Sequence, residues 1–292
     1  MDRQGGRIGL LSIACTCVEE VSQEQQQTKI EMRLRDPRIV HENISSAIIM
    51  ESDSDWDMRI KQSMVGVGKG TEVIADWPFD ADDSTNEQAV LQQPEQRHTT
   101  RSPYGDKWDI IWLGHCGSAA NGDGRVYAFN DSAAPDKDHV WVYGPQPSKG
   151  HRRVGTRMVY HIRESVCTTA YAMSNQGARK FDKLFEEANS PIDLKMWDAC
   201  GNNPRLVCIG VFPQIMSMTA SRTNIKHTGG GLSFGKMIKE EKIVAGKSVQ
   251  VSSRVNAHLG LAAKGPEGWK WEWKANATSN KVDDKETDDE DE

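Results

Sequence analysis

The sequence predicts an α/β protein built on an open sheet, and three stretches carry that prediction. An apolar run, residues 47–50, turns abruptly into carboxylates at Glu51, Asp53, Asp55 and Asp57. A second, residues 109–113, is bounded by Gly114 and Gly117. A third, residues 166–173, reads as a buried strand and runs straight into a helical pattern. Short apolar runs of this kind suit strands covered on both faces.

The first stretch organises the chain. Ligands of open α/β sheets sit at the carboxyl ends of strands. Hard cations such as Mg²⁺ or Mn²⁺ take carboxylate oxygens, often one or two of them together with substrate phosphates. The run 51–57 is therefore a candidate metal site, with Asp53 and Asp55 as direct ligands and Glu51 as a ribose or water partner. The competing reading is a solvated turn, because Ser-Asp-Ser-Asp is good turn chemistry. If strand geometry continued, all four carboxylates would share one face and repel without a cation.

Before that stretch, residues 8–18 are a short apolar run behind Arg3 and Arg7, which suits either a signal-peptide core or a buried strand. Residues 19–45 are rich in Glu, Gln and Arg and allow an exposed helix, broken at Asp36-Pro37. After the carboxylates, residues 58–65 read as a short helix. Gly66, Gly68 and Gly70 follow as a flexible turn, since they lack the spacing of a P-loop. Residues 78–106 and 118–138 read as polar loops. His115 falls just past the strand 109–113, where it can touch a phosphate or simply satisfy itself on backbone. A short strand is expected at 140–143. Lys149, His151, Arg152, Arg153 and Arg157 form the one basic cluster, suited to a diphosphate or to a solvated face.

Ser174 caps a helix expected over 175–188, whose Ala178, Phe181, Leu184, Phe185 and Ala188 share an apolar face ended by Pro191. Asp193 and Asp198 follow among apolar residues, and 206–212 reads as another strand. Residues 236–244 suggest a helix. Trp269, Trp271 and Trp273 alternate and would share one face of a strand, as a core, a partner surface or a platform for sugar rings.

The formal charge is −6, and residues 281–292 hold eight acids and two lysines, so the other 280 residues are neutral overall. No basic field argues for nucleic acid, and the tail reads as disordered. No stretch reaches the roughly 20 apolar residues of a membrane-spanning helix. The six cysteines show neither CxxC nor zinc spacing. They allow a disulfide or two; small buried hydrophobes are the favoured reading for Cys116, Cys167 and Cys208.

Four motifs together resemble glycosyltransferase family 25, the lipopolysaccharide-biosynthesis and procollagen galactosyltransferase group, and most of all its fungal branch. They are SSAIIMESDSDWD (45–57), YGDKWDIIWLGHCG (104–117), TAYAMSNQGARK (169–180), and the pair SPID (190–193) with PQ (213–214). The resemblance spans roughly residues 43–230. It implies a GT-A-like (Rossmann-like) nucleotide-sugar transferase fold, a UDP-sugar donor such as UDP-galactose, Mn²⁺, and a glycan or protein hydroxyl as acceptor. By position it matches Glu51 and Asp53 to the ends of the family's acidic triplet and makes Asp53 the main metal ligand. In an intact enzyme Asp55 would assist at the metal, His115 would orient a phosphate, and Asp193 or Asp198 would act as base. The resemblance also implies a secretory setting, in which the sequons at Asn43, Asn130 and Asn276 would matter. Two departures stand out: Ser52 replaces the middle acid of the family triplet, and residues 1–42 lack the family's nucleotide-holding first strand. The expected organisation is an atypical segment 1–42, with the family fold incomplete there, a transferase domain 43–230, an extension 231–280 and an acidic tail 281–292. The rival readings are a catalytically impaired remnant acting as a binding module, and a different metal-dependent phosphate enzyme such as a nucleotidyltransferase.

Overall fold

The computed structural model describes residues 37–51, 53–76, 90–91, 102–120, 125–147, 155–184, 191–219 and 245–273. The expected N-terminal strand or signal core, the helix at 236–244 and the acidic tail all lie outside these residues, as do Lys149 to Arg153 of the basic cluster.

The elements in chain order are α1 (Pro37–His41), β1 (Ser46–Met50), β2 (Ser54–Trp56), α2 (Ile60–Ala75), β3 (Val90–Leu91), β4 (Ile110–Gly114), β5 (Gly117–Ala120), β6 (Val126–Asn130), β7 (Thr156–Val166), β8 (Ala170–Ser174), α3 (Asn175–Leu184), α4 (Ile192–Asn202), β9 (Cys208–Phe212), β10 (Met216–Met218) and α5 (Ser253–His258). The central sheet has the order β1-β8-β4-β9-β7-β6-β3, with β5 added to β7. The pairs β4/β9 and β3/β6 are parallel and the others antiparallel. This is a mixed α/β sheet, compatible with a Rossmann-like arrangement.

Alternation along the strands explains why they read as continuous apolar runs. Ile110, Trp112, Tyr171, Met173, Met158, Tyr160 and Phe212 point to one face, into a core shared with Phe181 of α3 and Met196 of α4. Ile111, Leu113, Ala170, Ala172, Val159, Ile209 and Val211 point to the other, into a core shared with Val67, Val73 and Ile74 of α2. Helices cover both faces, so no position of the central strands can be polar without cost.

Several expectations change. The three glycines do not form a turn: α2 runs through them. A Cβ at Gly70 would lie 2.6 Å from Val159 and 2.8 Å from Tyr127, and one at Gly66 would enter the Phe129 ring. The glycines let the helix settle onto the sheet, and that packing offsets their poor helix propensity. Residues 118–138 are not wholly loop, since β5 and β6 fall within and beside them. The expected strand at 140–143 is irregular, with Tyr143 and Gly144 donating to the carbonyl of Cys116. The expected strand at 166–173 is broken at 167–169, between β7 and β8. Trp269 to Trp273 form no strand; Trp273 stacks on His139 at 4.1 Å and Arg59 lies 5.0 Å over Trp271. The Ser174 cap is present, its Oγ accepting from Gly177 N at 3.0 Å.

Arg157 is not part of a phosphate-facing cluster. It is 2% exposed, pairs with Asp131, and donates to the carbonyls of Gln214 (2.7 Å) and Ala133 (3.1 Å) and to that of Pro213. The favoured reading of Cys116, Cys167 and Cys208 as unpaired hydrophobes is also corrected. Cys116 bonds to Cys167, closing a separation of 51 residues, and Cys200 to Cys208, closing 8. Sequence spacing carries no information on which β-carbons the sheet brings together, so the pairing was invisible there. No helix among the described residues is long and apolar enough to cross a membrane.

Candidate functional site

Strand β8 runs antiparallel to both β1 and β4, and β9 runs parallel to β4. The carboxyl ends of β1, β4 and β9 therefore meet at one edge of the sheet. Glu51, His115 and Pro213 follow those ends directly, and the small two-stranded sheet of β2 and β10 closes over the same edge.

Glu51 leaves the end of β1 with its backbone N–H on the carbonyl of Thr169 (3.0 Å) and its carboxylate accepting from Thr168 Oγ1 (2.9 Å). The 167–169 break between β7 and β8 provides those partners. It is held firmly: Cys167 adopts φ 64°, a left-handed conformation that disfavours side chains. The disulfide to Cys116 fixes its side chain, Trp112 Nε1 donates to its carbonyl (2.8 Å), and Asp193 Oδ2 accepts from its N–H (3.1 Å). Asp193 lies in the first turn of α4 and is thereby brought to the same corner as Glu51.

Electrostatics shows the crowding. Glu51 reaches solvent, yet the loss of hydration around it pushes its carboxyl pKa up; the Thr168 bond offsets part of this, and the charges of Asp53 and Asp193 push it further up. Asp53 is half-buried, and desolvation raises it as well, against its own backbone hydrogen bond and the nearby charge of Arg254. Both groups hold protons to higher pH when folded than when unfolded. In the window between the ordinary carboxylate pKa and the raised values, the native state binds more protons, so stability falls as pH rises through it. The paired variant Glu51→Gln/Asp53→Asn is expected to lose this negative contribution. Urea midpoints of both proteins between pH 4 and 7 check it; an unchanged difference across the series contradicts the assignment.

Asp55 has a different environment. It is fully buried, and its carboxylate accepts from five donors: Trp56 N (2.9 Å), Gly246 N (2.8 Å), Ser252 Oγ (2.6 Å), Ser253 Oγ (3.2 Å) and Arg254 N (3.2 Å). Asp57 is likewise turned inward, onto Arg59 and Val251 N. Residues 246–254, expected in an extension beyond the domain, are thus tied to the acidic motif itself. Both oxygens of Asp55 are saturated, which leaves no lone pair aimed at a cation.

His115 is 2% exposed and stacks on Phe212. Burial lowers its pKa to about 4, so the ring is neutral; Nε2 lies 2.9 Å from the Val211 carbonyl and therefore carries the proton. It packs inside the sheet and does not present charge to a phosphate. Asp198 is exposed on α4 and accepts from Asn202 Nδ2 at 2.7 Å. Of the six residues singled out from the sequence, Glu51, Asp53 and Asp193 come together, while Asp55, His115 and Asp198 do not join them.

Thr168 and Arg254, which border Glu51 and Asp53, were missed. Thr168 had no sequence signal, because nothing in the apolar run 166–173 announces the break at 167–169. Arg254 had a faint one: Ser252-Ser253 is a helix-start signature, and Ser252 Oγ does accept from Val255 N (3.0 Å).

As donors for a divalent metal, Glu51 and Asp53 fit and Asp55 does not. Among the described residues no three of His, Cys, Asp and Glu form a group that could hold a metal ion. Two carboxylates suit a cation whose remaining ligands are waters and substrate phosphates rather than a closed protein cage. Comparison with family models, curated proteins and solved structures returned no match.

Proposed function

We propose that the protein is a glycosyltransferase on a GT-A-like fold that moves a hexose, galactose or a close relative, from a UDP-sugar to a hydroxyl of a glycan or protein. The reading rests on one observation above the others: Glu51, Asp53 and Asp193 are gathered at the edge where β1, β4 and β9 end, and are desolvated or mutually repelling there. A site of that kind gains by taking up a cation. Glu51 and Asp53 would hold Mn²⁺, which supplies positive charge to the departing diphosphate. Asp193 is the better placed of the two candidate bases. It would take the proton of the acceptor hydroxyl as that oxygen bonds to the anomeric carbon and the bond from that carbon to UDP breaks. The Cys167 N–H and Leu194 N, both bonded to Asp193, aim its carboxylate.

One observation favours a second reading, a binding module with an impaired site. Saturation of Asp55 removes a carboxylate that the sequence pattern assigns to the metal. Calorimetric titration of UDP with and without Mn²⁺ separates the two. The transferase reading expects Mn²⁺-dependent UDP binding that Asp53→Ala weakens at least tenfold, and slow release of the hexose from UDP-galactose or UDP-glucose. Mn²⁺-dependent binding without turnover of any UDP-hexose leaves the binding module. UDP affinity indifferent to both Mn²⁺ and Asp53 removes both.

A further inference from the structure

We infer that the Thr219 hydroxyl is a further ligand of this site, completing with Glu51 and Asp53 an all-oxygen set for a hard divalent cation. This rests on the reading of Asp53 as the metal-bearing carboxylate, and three features carry it.

First, β10 pairs antiparallel with β2 in the register Met216↔Trp56, Ser217↔Asp55, Met218↔Ser54. The ladder runs on by one residue, with Thr219 N donating to the Asp53 carbonyl at 2.9 Å. Residues directly opposite in an antiparallel ladder send their side chains to the same face, with Cβ atoms about 4.5–5.5 Å apart. Thr219 therefore stands beside Asp53 as Ser217 stands beside Asp55, close enough for its oxygen and the Asp53 carboxylate to serve one ion.

Second, the hydroxyl is unsatisfied. Thr219 is 5% exposed, and Oγ1 has no hydrogen-bond partner, the neighbouring carboxylate included. A buried hydroxyl without a partner costs free energy, and coordination to a cation removes that cost.

Third, the donor chemistry is consistent. Loss of hydration disfavours the charge of both Glu51 and Asp53, and a cation between them offsets this. Among the described residues no third His, Cys, Asp or Glu joins them. A hydroxyl fills that place without adding charge, taking a position otherwise left to water. Serine and threonine hydroxyls bind Mg²⁺ beside phosphates in the same manner, and oxygen donors alone suit Mg²⁺, Mn²⁺ or Ca²⁺. Ser217 supplies the contrast. Its Oγ is also buried without a partner, but Asp55 opposite it is saturated, so no cation is held there.

The test uses the full chain with Mn²⁺ alone as the probe, titrated calorimetrically into wild type, Thr219→Val, Thr219→Ser, Ser217→Ala and Asp53→Ala. Urea midpoints of the metal-free proteins are measured alongside. Thr219→Val is expected to weaken Mn²⁺ binding by roughly tenfold to a hundredfold. Its metal-free midpoint should stay level or rise, because a methyl group of the same shape replaces an unpaired hydroxyl. Thr219→Ser keeps the oxygen and should keep most of the affinity, and Ser217→Ala should leave it unchanged. A hydroxyl with a purely structural role would give the reverse, a lower metal-free midpoint in Thr219→Val with Mn²⁺ affinity intact. Mn²⁺ binding that falls in Asp53→Ala and ignores Thr219→Val overturns the inference and spares the metal at Asp53. Equal losses in Ser217→Ala and Thr219→Val also overturn it, since they trace the effect to the packing of β10. Wild type that takes up no Mn²⁺ overturns the metal at Asp53, and the role of Thr219 with it. If Thr219→Val does not fold, Thr219→Ala decides.

Discussion

Asp55→Ala is expected to lower the stability of the native state by roughly 3–5 kcal/mol, while Asp53→Ala, two residues away, changes it by less than about 1 kcal/mol. The two side chains have the same chemistry and differ in what surrounds them. Removing Asp55 leaves five donors facing a void: the N–H groups of Trp56, Gly246 and Arg254 and the hydroxyls of Ser252 and Ser253. Water entering the gap would satisfy some of them, so the losses do not add. Asn at position 55 keeps one acceptor and should recover about 1–2 kcal/mol of the loss. Asp53 is in the opposite position, because burial already disfavours its charge. Neutralising it as Asn should be neutral or slightly stabilising at pH 7. Urea midpoints give the energies. Hydrogen exchange at the amides of Gly246 and Arg254 locates the effect, since these should open in Asp55→Ala and not in Asp53→Ala. Equal destabilisation by the two substitutions would mean that the acids do not divide their work between anchoring and ligand binding.

That division marks the limit of what the sequence revealed. The strands β4 and β9 were legible because each is buried on both faces and reads as an apolar run; β1, an edge strand with only Ala47 buried, reads as one too. Helix α3 was legible because its apolar positions repeat with helical spacing from a Ser174 cap. The carboxyl end of β1 was legible as a place where acids gather. Which acids face outward was not, because this is decided by residues 246–254, some 190 positions away, whose own pattern is weak. Strand β7 was missed for a related reason. Its first half sits between β9 and β6, and its second half pairs with β5 after a register shift. Charged Arg157, Arg163 and Glu164 interrupt the apolar signal, although Arg157 is buried. The break at 167–169 falls inside an apolar run, and Cys167 there is bonded to Cys116, a pairing that spacing does not reveal. His115 carried two readings, a ligand contact or a ring satisfied on backbone, and the structure gives the second, with Nε2 on the Val211 carbonyl and the ring turned onto Phe212.

Arg157→Met should cost about 3–5 kcal/mol, measured as the shift in urea midpoint multiplied by the common slope. Its guanidinium is the buried partner of Asp131 and also serves the carbonyls of Ala133, Pro213 and Gln214. Methionine fills the aliphatic part of the space and leaves a buried, unpaired carboxylate with three carbonyls short of a donor. Burial alone would push the Asp131 carboxyl up; Arg157 and the Ala133 N–H more than offset this and hold it below the ordinary carboxylate range. With the folded pKa depressed, the stabilisation is complete above the unfolded pKa near 4 and is lost as pH falls from there through the lower folded value. The variant should therefore differ most from wild type at neutral pH and converge on it in acid. A second substitution, Asp131→Ala in the Arg157→Met background, removes the stranded charge and should restore at least 1–2 kcal/mol, because a missing pair is less harmful than half of one. A loss below about 1 kcal/mol in the single variant, or no recovery in the double, would show that this corner is open to water. Arg157 also binds the segment 213–214 that leads into β10, and β10 sets Thr219 opposite Asp53.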